Sequence, residues 1–482
     1  MALKSKVFHM TNQRSLFAAL IVFTTSAAQA DEWTRFRGPN GSGVATSAHK
    51  LPDKIGPETN LLWRTSLPPG ISSPVIANGR VFLTTVKGRK LSTVALNVKD
   101  GTLLWQKLAP ILHRVKGKRL ATASPVTDGE LVVSFFGAAG LLCYDKGGNL
   151  KWKKDLGQLD NRFNHAASPI LIGNRVILVV DHDGVSFVVA FDKQTGKELW
   201  RSYRYVLGRN YASPVVWKIG DQNYLVVTGS GLVTGYEIET GVAKWLIRST
   251  CAVVNPTPVV GENGWLFVHG SSPPSGAKST PFEQVLKAHD KNADSELQSA
   301  ELPRSFLRAF FKRFDQNANG GISEKEYKSY EQLSRPFIKG MVAIKPGEGK
   351  DSLTLSHAWT QSRGMPRTPS AIAHKGVLYV VSEKGIFQSV DARSGKVIHK
   401  GRIGARGTVY SSPSMGDGKI YIGTRNGTVS VISAQPKWKN LHSTTVDGEI
   451  QSSPSIANGR VFIRTDRSIY CFGLRDEVGK GK

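Results

Sequence analysis

Three things are scarce in this sequence. There are three cysteines, Cys143, Cys251 and Cys471, in 482 residues, which excludes a disulfide-stapled mini-protein, whose small core depends on many crosslinks. No stretch approaches the roughly 18–20 uninterrupted apolar residues that a membrane-spanning helix needs. Acidic residues number 37 against 64 Lys+Arg, a formal net charge of +27. Such an excess bears on solubility and partners, not on fold. What is present excludes two further classes. With 40% hydrophobic residues, and 49 glycines that follow no three-residue period, the chain is neither disordered nor collagen-like. Cys143 in Leu-Leu-Cys-Tyr and Cys471 in Ile-Tyr-Cys-Phe read as buried strand thiols.

The first thirty residues read as an address. Lys4, Lys6 and Arg14 precede a short apolar run, Leu16 to Phe23, and then Ala28-Gln29-Ala30. A basic stretch, a brief apolar segment and an A-x-A site form a secretory signal peptide. The mature chain is expected to begin at Asp31 and to work in the periplasm or outside the cell. No cysteine stands at the cleavage point, so a lipid-anchored form is not expected.

The rest of the chain repeats. A [Ser/Thr]-Pro pair, β-rich runs and an acidic-Gly turn leading to Trp recur, with prolines at 74, 125, 169, 214, 258, 369, 413 and 454. All the spacings but one lie near the roughly 40–50 residues of one four-stranded propeller blade. In the third repeat, Ser168-Pro169 opens a strand, Asn174-Arg175 turns into Val176–Val180, Asp181–Gly184 into Phe187–Asp192, and Thr195-Gly196 into Lys197–Trp200. Trp63, Trp105, Trp152, Trp200, Trp245, Trp359 and Trp438 fall at or near the fourth strand, where each ring can cover the next blade while its N–H finds a partner in a turn. In the sixth repeat Ile398 stands where tryptophan is expected. Because Trp63 precedes the first pair and no fourth strand follows Cys471, Leu61–Arg64 is expected to complete the last blade and remove the open edge. The fold class is all-β: an eight-bladed β-propeller of four-stranded antiparallel blades with a small α-helical insertion.

The [Ser/Thr]-Pro…Asp-x-x-Thr-Gly-Lys-x-x-Trp repeat resembles the quinoprotein, or PQQ-repeat, β-propeller family over residues 60–475 outside one insert. The opening Trp33-Thr-Arg-Phe-Arg-Gly-Pro-Asn-Gly-Ser-Gly43 resembles secreted PQQ-like propellers of planctomycete-type bacteria. The resemblance implies the fold and leaves activity open, since the family holds quinone-dependent dehydrogenases and non-enzymatic assembly scaffolds.

The long spacing between Pro258 and Pro369 holds the insert, residues 271–339. Asp290, Asn292, Asp294, Glu296, Gln298 and Glu301 match ligand positions 1, 3, 5, 7, 9 and 12 of an EF-hand calcium loop. Asp315, Asn317, Asn319, Gly321, Ser323 and Glu326 match them again. Calcium takes six to eight hard oxygen ligands, which this spacing supplies, position 7 through its backbone carbonyl. Helices are expected before the first loop (Phe282 to His289), between the loops (Pro303 to Phe314, with Phe306, Phe310 and Phe314 on one face) and after the second (Glu324 to Leu333). Resemblance to paired EF-hands implies a short β-contact between Leu297 and Ile322. Ser295 stands where the first loop usually has glycine, and the second loop has two charged ligands, which lowers affinity. The insert falls between the second and third strands of the fifth blade, so it is expected beside the channel entrance. The chain thus divides into 1–30 leader, 31–59 extension, 60–270 blades, 271–339 EF-hand pair, 340–475 remaining blades and 476–482 basic tail.

Residues preceding the Ser-Pro pairs are expected at the channel mouth: Thr122, His165, Asn210, Tyr211, Asn255, Arg367, Tyr410 and Gln451. Such a polar ring suits a small ligand or cofactor. No catalytic residue is assigned, because no Gly-x-Ser-x-Gly elbow, His-Glu-x-x-His helix or Walker loop is present. In the quinone dehydrogenases the cofactor stacks on a ring formed by adjacent cysteines, and this sequence has no Cys-Cys pair. The residues favour a secreted calcium-binding scaffold. A PQQ-dependent oxidoreductase with an altered pocket and an anionic-polysaccharide binder are the alternatives. A cluster from His113 to Arg119 concentrates part of the charge. Outside the cytoplasm, its expected partner is a protein or an anionic glycan or envelope surface and not nucleic acid.

Overall fold

The structure is a computed structural model that describes residues 32–46, 48–114, 120–159, 161, 164–182, 184–205, 210–229, 231–248, 254–270, 280–333, 340–347 and 353–475, with side chains to 329 in the last helix of the insert. The expected leader, residues 1–30, lies outside the described residues, as do Cys251, residues 115–119 of the basic cluster and the tail 476–482.

Eight four-stranded antiparallel sheets follow one another. Blade 1 opens at Val75–Ala77, blade 2 at Val126–Thr127, blade 3 at Ile170–Ile172 and blade 4 at Val215–Ile219. Blades 5 to 8 open at Val259–Val260, Ile372–His374, Ser414–Gly416 and Ser455–Ala457. The ring closes as expected. Leu61–Ser66 pairs with Ser468–Gly473, Trp63 opposite Cys471, and supplies the outer strand of blade 8. Second and third strands are buried almost throughout, as in Leu131–Phe136 and Val461–Ile463, because each sheet packs both faces against its neighbours.

The tryptophans interlock the blades. The indole N–H of Trp63 donates to Val98 O at 3.0 Å, Trp105 to Lys146 O at 3.0 Å, Trp152 to Lys193 O at 2.8 Å, Trp200 to Ile238 O at 3.0 Å and Trp359 to Ala392 O at 3.0 Å. Each acceptor belongs to the next blade's hairpin. The glycine of that hairpin leaves room for the ring: a Cβ on Gly241, whose φ is +70°, would lie 2.6 Å from Trp200 Cδ2. This is why glycine recurs in this turn, as Gly101, Gly148, Gly196, Gly241 and Gly395, each beneath a tryptophan ring.

Every blade carries a bulge where its outer strand meets the third. Ala190 faces Trp200 and Phe191 faces Glu198, so Leu199 is extruded. A bulge re-aims the following side chain, here the tryptophan. This changes the reading of two blades. In blade 6 the extruded residue is Ile398, and His399 takes the tryptophan position opposite Ser389. In blade 7 that position is His442, opposite Val431. Trp438 lies ahead of its strand and packs back on blade 6, its ring 5.0 Å from those of Phe387 and His399. Trp245 donates no indole bond among the described residues; in its place Trp217 reaches Gly264 O of blade 5 at 2.7 Å.

The second strand of blade 5, Leu266–Gly270, pairs with Gly340–Pro346, and the insert is the excursion between them. It holds α1 (Phe282–His289), α2 (Phe306–Ala309), α3 (Phe311–Phe314) and α4 (Glu324–Leu333). The expected single middle helix is broken at Phe310, whose φ is −115° and ψ 28°. Phe306 still meets Phe310 and Phe314 edge to face, with ring centroids 5.0 and 5.9 Å away.

Candidate functional site

Two places concentrate polar side chains: the channel axis and the insert.

The axis is organised by the residue at the start of each inner strand. Ser73 N donates to Ser124 Oγ at 2.8 Å, Ser124 N to Ser168 Oγ at 2.9 Å and Ser168 N to Ser213 Oγ at 2.9 Å. On the other side, Thr257 N donates to Ser370 Oγ at 3.0 Å, Ser370 N to Ser412 Oγ at 2.9 Å, Ser412 N to Ser453 Oγ at 3.0 Å and Ser453 N to Ser73 Oγ at 2.9 Å. Hydroxyls of successive blades thus cap one another's inner-strand N–H groups, which would otherwise be buried without partners. In blade 6 this place belongs to Ser370, with Ala371 where the other blades have proline, so Thr368-Pro369 lies two residues ahead of the repeat register.

Above the ring is a cavity of about 340 Å³. Of the residues expected at the mouth, Thr122, Tyr211, Asn255, Tyr410 and Gln451 line it, together with Ser73, Ser168, Ser370, Ser412, Ser453 and Phe36. His165, Asn210 and Arg367 are not among its lining. His165 is buried with its ring 5.6 Å from Phe135 and 6.3 Å from His182. Asn210 is buried beside Ala212, whose N–H its Oδ1 accepts at 3.3 Å. Arg367 is exposed, and its N–H donates to Glu383 Oε1 at 2.7 Å.

Phe36 belongs to a segment the repeat pattern did not foreshadow. Residues 32–46 enter the channel and fasten to the inner strands. Trp33 exchanges 2.9 Å bonds with Ile76, Thr34 O accepts from Thr127 N, Asn40 pairs with the backbone of Val216, and Gly43 O accepts from Met415 N at 2.7 Å. Two guanidiniums anchor this plug. Arg35 Nη2 donates to Pro214 O at 2.5 Å. Arg37 donates to Gly41 O at 3.0 Å, Ser42 O at 3.0 Å, Pro413 O at 3.3 Å and Ala371 O at 2.5 Å. Burial lowers Arg35 to about 10 and Arg37 to about 9, so both stay charged at neutral pH. Gly38 (φ +62°) and Gly43 (φ +76°) give the plug its tight course; a Cβ on Gly43 would sit 2.7 Å from Arg37 Nη2. The signal was present as Arg-Phe-Arg-Gly-Pro-Asn-Gly-Ser-Gly, a turn-rich run with charges of one sign.

A third buried arginine, Arg204, is paired. Its Nε and Nη2 reach the two Asp181 oxygens at 2.8 and 3.1 Å, and Nη1 reaches Tyr236 OH at 2.7 Å. Burial pushes the Asp181 carboxyl up to about 6 against the pull of Arg204. Burial opposes the charge on Arg204 as well, but Asp181 and Tyr236 outweigh it and raise the guanidinium.

In the insert the two loops share most of a bond pattern and differ in the partners of their first aspartates. Asp290 accepts from Ala293 N at 2.7 Å and Ser295 N at 3.1 Å, and Asp294 from Glu296 N at 2.9 Å. Glu301 closes the loop, accepting from Lys291 N at 2.8 Å and Gln298 N at 3.1 Å. In the second loop Asp315 accepts from Asn319 N at 3.1 Å and Gly320 N at 3.0 Å, and Glu326 from Gln316 N at 2.8 Å and Ser323 N at 2.9 Å. Asn292, Asn317 and Asn319 each accept from a loop N–H two residues on. Leu297 and Ile322 pair as a two-residue ladder. Ser295 adopts φ +65°, a left-handed conformation that costs a non-glycine residue on the order of 1 kcal/mol. Among the described residues no group of three or more His, Cys, Asp and Glu side chains is placed to hold a metal. The loops offer carboxylates mixed with amide, hydroxyl and carbonyl oxygens, a donor set suited to a hard cation.

The insert sits on the rim and not at the mouth. Tyr203 at the outer edge of blade 3 bridges to Ser305, and α2 lies along Ala243–Arg248, the outer strand of blade 4. Leu232 and Tyr205 of the propeller share a buried cluster with Phe282, Leu302, Phe306, Phe314, Ile322 and Tyr327. The long excursion lets the insert reach past its own blade to the two preceding ones, a distance no strand count reveals.

Cys143 and Cys471 are free thiols in separate buried clusters, each pushed up to about 12 by burial. Among the described residues no helix is long and apolar enough to cross a membrane.

Comparison with known proteins agrees with this architecture. A family model described as outer membrane protein assembly factor BamB, of PQQ-like repeats, matches residues 57–187 and 112–272. No curated protein matches the sequence. Among solved structures, BamB from Moraxella catarrhalis is 12% identical with a TM-score of 0.54, covering 86% of this chain and 99% of that one. A europium-containing methanol dehydrogenase is 11% identical with a TM-score of 0.58, covering 92% and 98%. The quinohemoprotein alcohol dehydrogenase ADHIIG from Pseudomonas putida HK5 is 12% identical with a TM-score of 0.53, covering 94% and 81%. At these identities the likeness is one of fold.

Proposed function

We propose that this chain is an exported, calcium-binding β-propeller that serves as a binding or assembly scaffold for a protein partner. Residues 1–30 act as the cleaved leader, and the propeller works in the periplasm or outside the cell. Residues 271–339 form an EF-hand pair in which Asp290, Asn292, Asp294, Gln298 and Glu301, with Glu296 O, hold one ion. Asp315, Asn317, Asn319, Ser323 and Glu326, with Gly321 O, hold the other. The observation that carries this reading is the closure common to the two loops, each by a glutamate that spans the N–H groups of positions 2 and 9. Calcium would neutralise the inward carboxylates and draw each loop onto its ion, stiffening α1 and α4 where the insert meets blades 3 and 4. The likeness to an assembly factor supports the scaffold role, and the excess of basic residues favours a partner with an acidic surface, an anionic glycan included.

The quinone reading is less well supported. Among the described residues the cavity walls carry hydroxyls, amides and aromatic rings but no carboxylate to hold a cofactor-bound metal. Neither described thiol lies on the axis. These residues do not fit a pyrroloquinoline quinone with its calcium.

Thermal unfolding of the mature chain with and without calcium tests the proposal. Calcium is expected to raise the melting temperature, and Asp290→Ala with Asp315→Ala is expected to abolish the rise. A wild-type protein indifferent to millimolar calcium would refute it.

A further inference from the structure

The serine ring has a property that capping does not use. Each ring serine accepts one backbone N–H at Oγ, yet among the described residues none of Ser73, Ser168, Ser370, Ser412 or Ser453 donates its own hydroxyl hydrogen to a protein acceptor. These five line the cavity. A hydroxyl is both donor and acceptor, so the cavity is ringed by O–H groups whose hydrogens are uncommitted.

Directly beneath lies positive charge. Arg35 bonds to the carbonyl of Pro214, and Arg37 to those of Ala371 and Pro413. Each acceptor is one residue along its strand from a ring position, Ser213, Ser370 or Ser412. One residue of strand is about 3.3 Å, so the guanidiniums form a layer just below the hydroxyls. Neither has a carboxylate partner among the described residues, and the buried Nε of Arg35 has no acceptor. Arg204, by contrast, is neutralised by Asp181. Carbonyl dipoles satisfy the donors of Arg37 but do not cancel its charge, and burying an uncompensated cation is costly.

We propose that the channel holds an oxyanion group on the propeller axis, bound by the ring hydroxyls of blades 1, 3, 6, 7 and 8 over the charge of Arg35 and Arg37. Water could take the O–H hydrogens, but it would leave the two charges uncompensated, whereas an anion answers both. Hydroxyls from several directions suit the divergent oxygens of a sulfate or phosphate, and also a carboxylate. The group is either a free ion or the acidic end of a larger molecule entering from the mouth past Tyr211 and Tyr410. This site is independent of the calcium module and of the scaffold role.

Crystals of the mature chain soaked in sodium selenate, and titration of the protein with selenate at ionic strength held constant with sodium chloride, test the proposal. The expected result is a selenium anomalous peak on the axis within about 3.2 Å of several ring hydroxyls and one saturable binding event. Ser370→Ala and Ser412→Ala should each weaken that event about tenfold, the loss of one charge-assisted hydrogen bond. Acetate competing better than sulfate assigns the site to a carboxylate-ended ligand, and the reverse assigns it to a sulfate or phosphate. Both results support an oxyanion site. No axial peak in the wild-type crystals, which needs no variant to fold, overturns it. So does full selenate affinity in both variants, or displacement of selenate by an equal concentration of neutral glycerol.

Discussion

The plug offers the sharpest quantitative test. Replacing Arg37 with methionine keeps most of the stem and removes four donated hydrogen bonds, two within residues 32–46 and two to the inner strands of blades 6 and 7. Two effects oppose each other. Of the four carbonyls, three are left buried and that of Ser42 half-buried, the buried ones at roughly 1–3 kcal/mol each, while the burial penalty of the unpaired guanidinium, several kcal/mol, is relieved. Methionine cannot donate to the stranded carbonyls, so the loss wins by about 2–4 kcal/mol. Urea unfolding should show this as a lower midpoint at unchanged slope. Native-state hydrogen exchange should show it locally, with the N–H groups of Gly41, Gly43 and Ala45 exchanging faster while those of blade 3 do not. A variant as stable as the parent, or more so, would mean that the buried charge and not its hydrogen bonds governs the plug.

Further outcomes follow from other contacts. Gly241→Ala should destabilise by more than about 2 kcal/mol, because φ is +70° and the new Cβ meets the Trp200 ring, whereas Trp200→Phe should lose about 1–2 kcal/mol with the indole bond to Ile238 O; equal, negligible effects in urea unfolding would contradict the interlock. Arg204→Met should cost about 3–5 kcal/mol by stranding the Asp181 carboxylate, and adding Asp181→Leu should recover most of it; additive losses would show that the pair does not act as a unit. The turn aspartates Asp192 and Asp391 are held below the ordinary carboxylate value, Asp192 chiefly by Thr195 N–H and Asp391 by the Ser394 hydroxyl. Their stabilising contribution is therefore complete above about pH 4 and lost as pH falls through the lower folded values. Asp192→Asn with Asp391→Asn should flatten the acid limb of a melting-temperature profile, and an unchanged limb would show that these turns do not contribute to it.

The architecture was legible because a propeller writes its period into the chain. The Ser-Pro spacing, the Trp positions and the lone strand Leu61–Arg64 gave eight blades and their closure, and the long interval before the sixth repeat located the insert between two strands of blade 5. What escaped has physical causes. A bulge adds one residue without altering composition, so Ile398 was aligned with tryptophan where His399 holds the place. Thr368-Pro369 imitated the repeat pair two residues ahead of Ser370, because proline is tolerated equally before an inner strand and at its start. Trp438 kept the period while packing backwards onto blade 6. The plug belongs to no repeat, and its contacts span more than 300 residues of sequence, from Arg37 to Ala371 and Pro413. Of the mouth residues, those two positions before a ring residue, Thr122, Tyr211, Asn255, Tyr410 and Gln451, line the cavity, while His165 and Asn210, three positions before one, turn into the wall between blades. The ring hydroxyls themselves were read as strand starts, since their Ser-Pro motif has a structural explanation that hides its second use.

Calcium uptake by the mature chain is the most direct measurement of the central proposal. Equilibrium dialysis should show two ions bound per chain, saturating on the order of 10⁻⁴–10⁻³ M as expected of extracellular modules, falling to one with either Asp290→Ala or Asp315→Ala and to none with both. No saturable uptake below about 10 mM, a range well above that expected of such sites, or uptake that survives the double variant, would contradict the account.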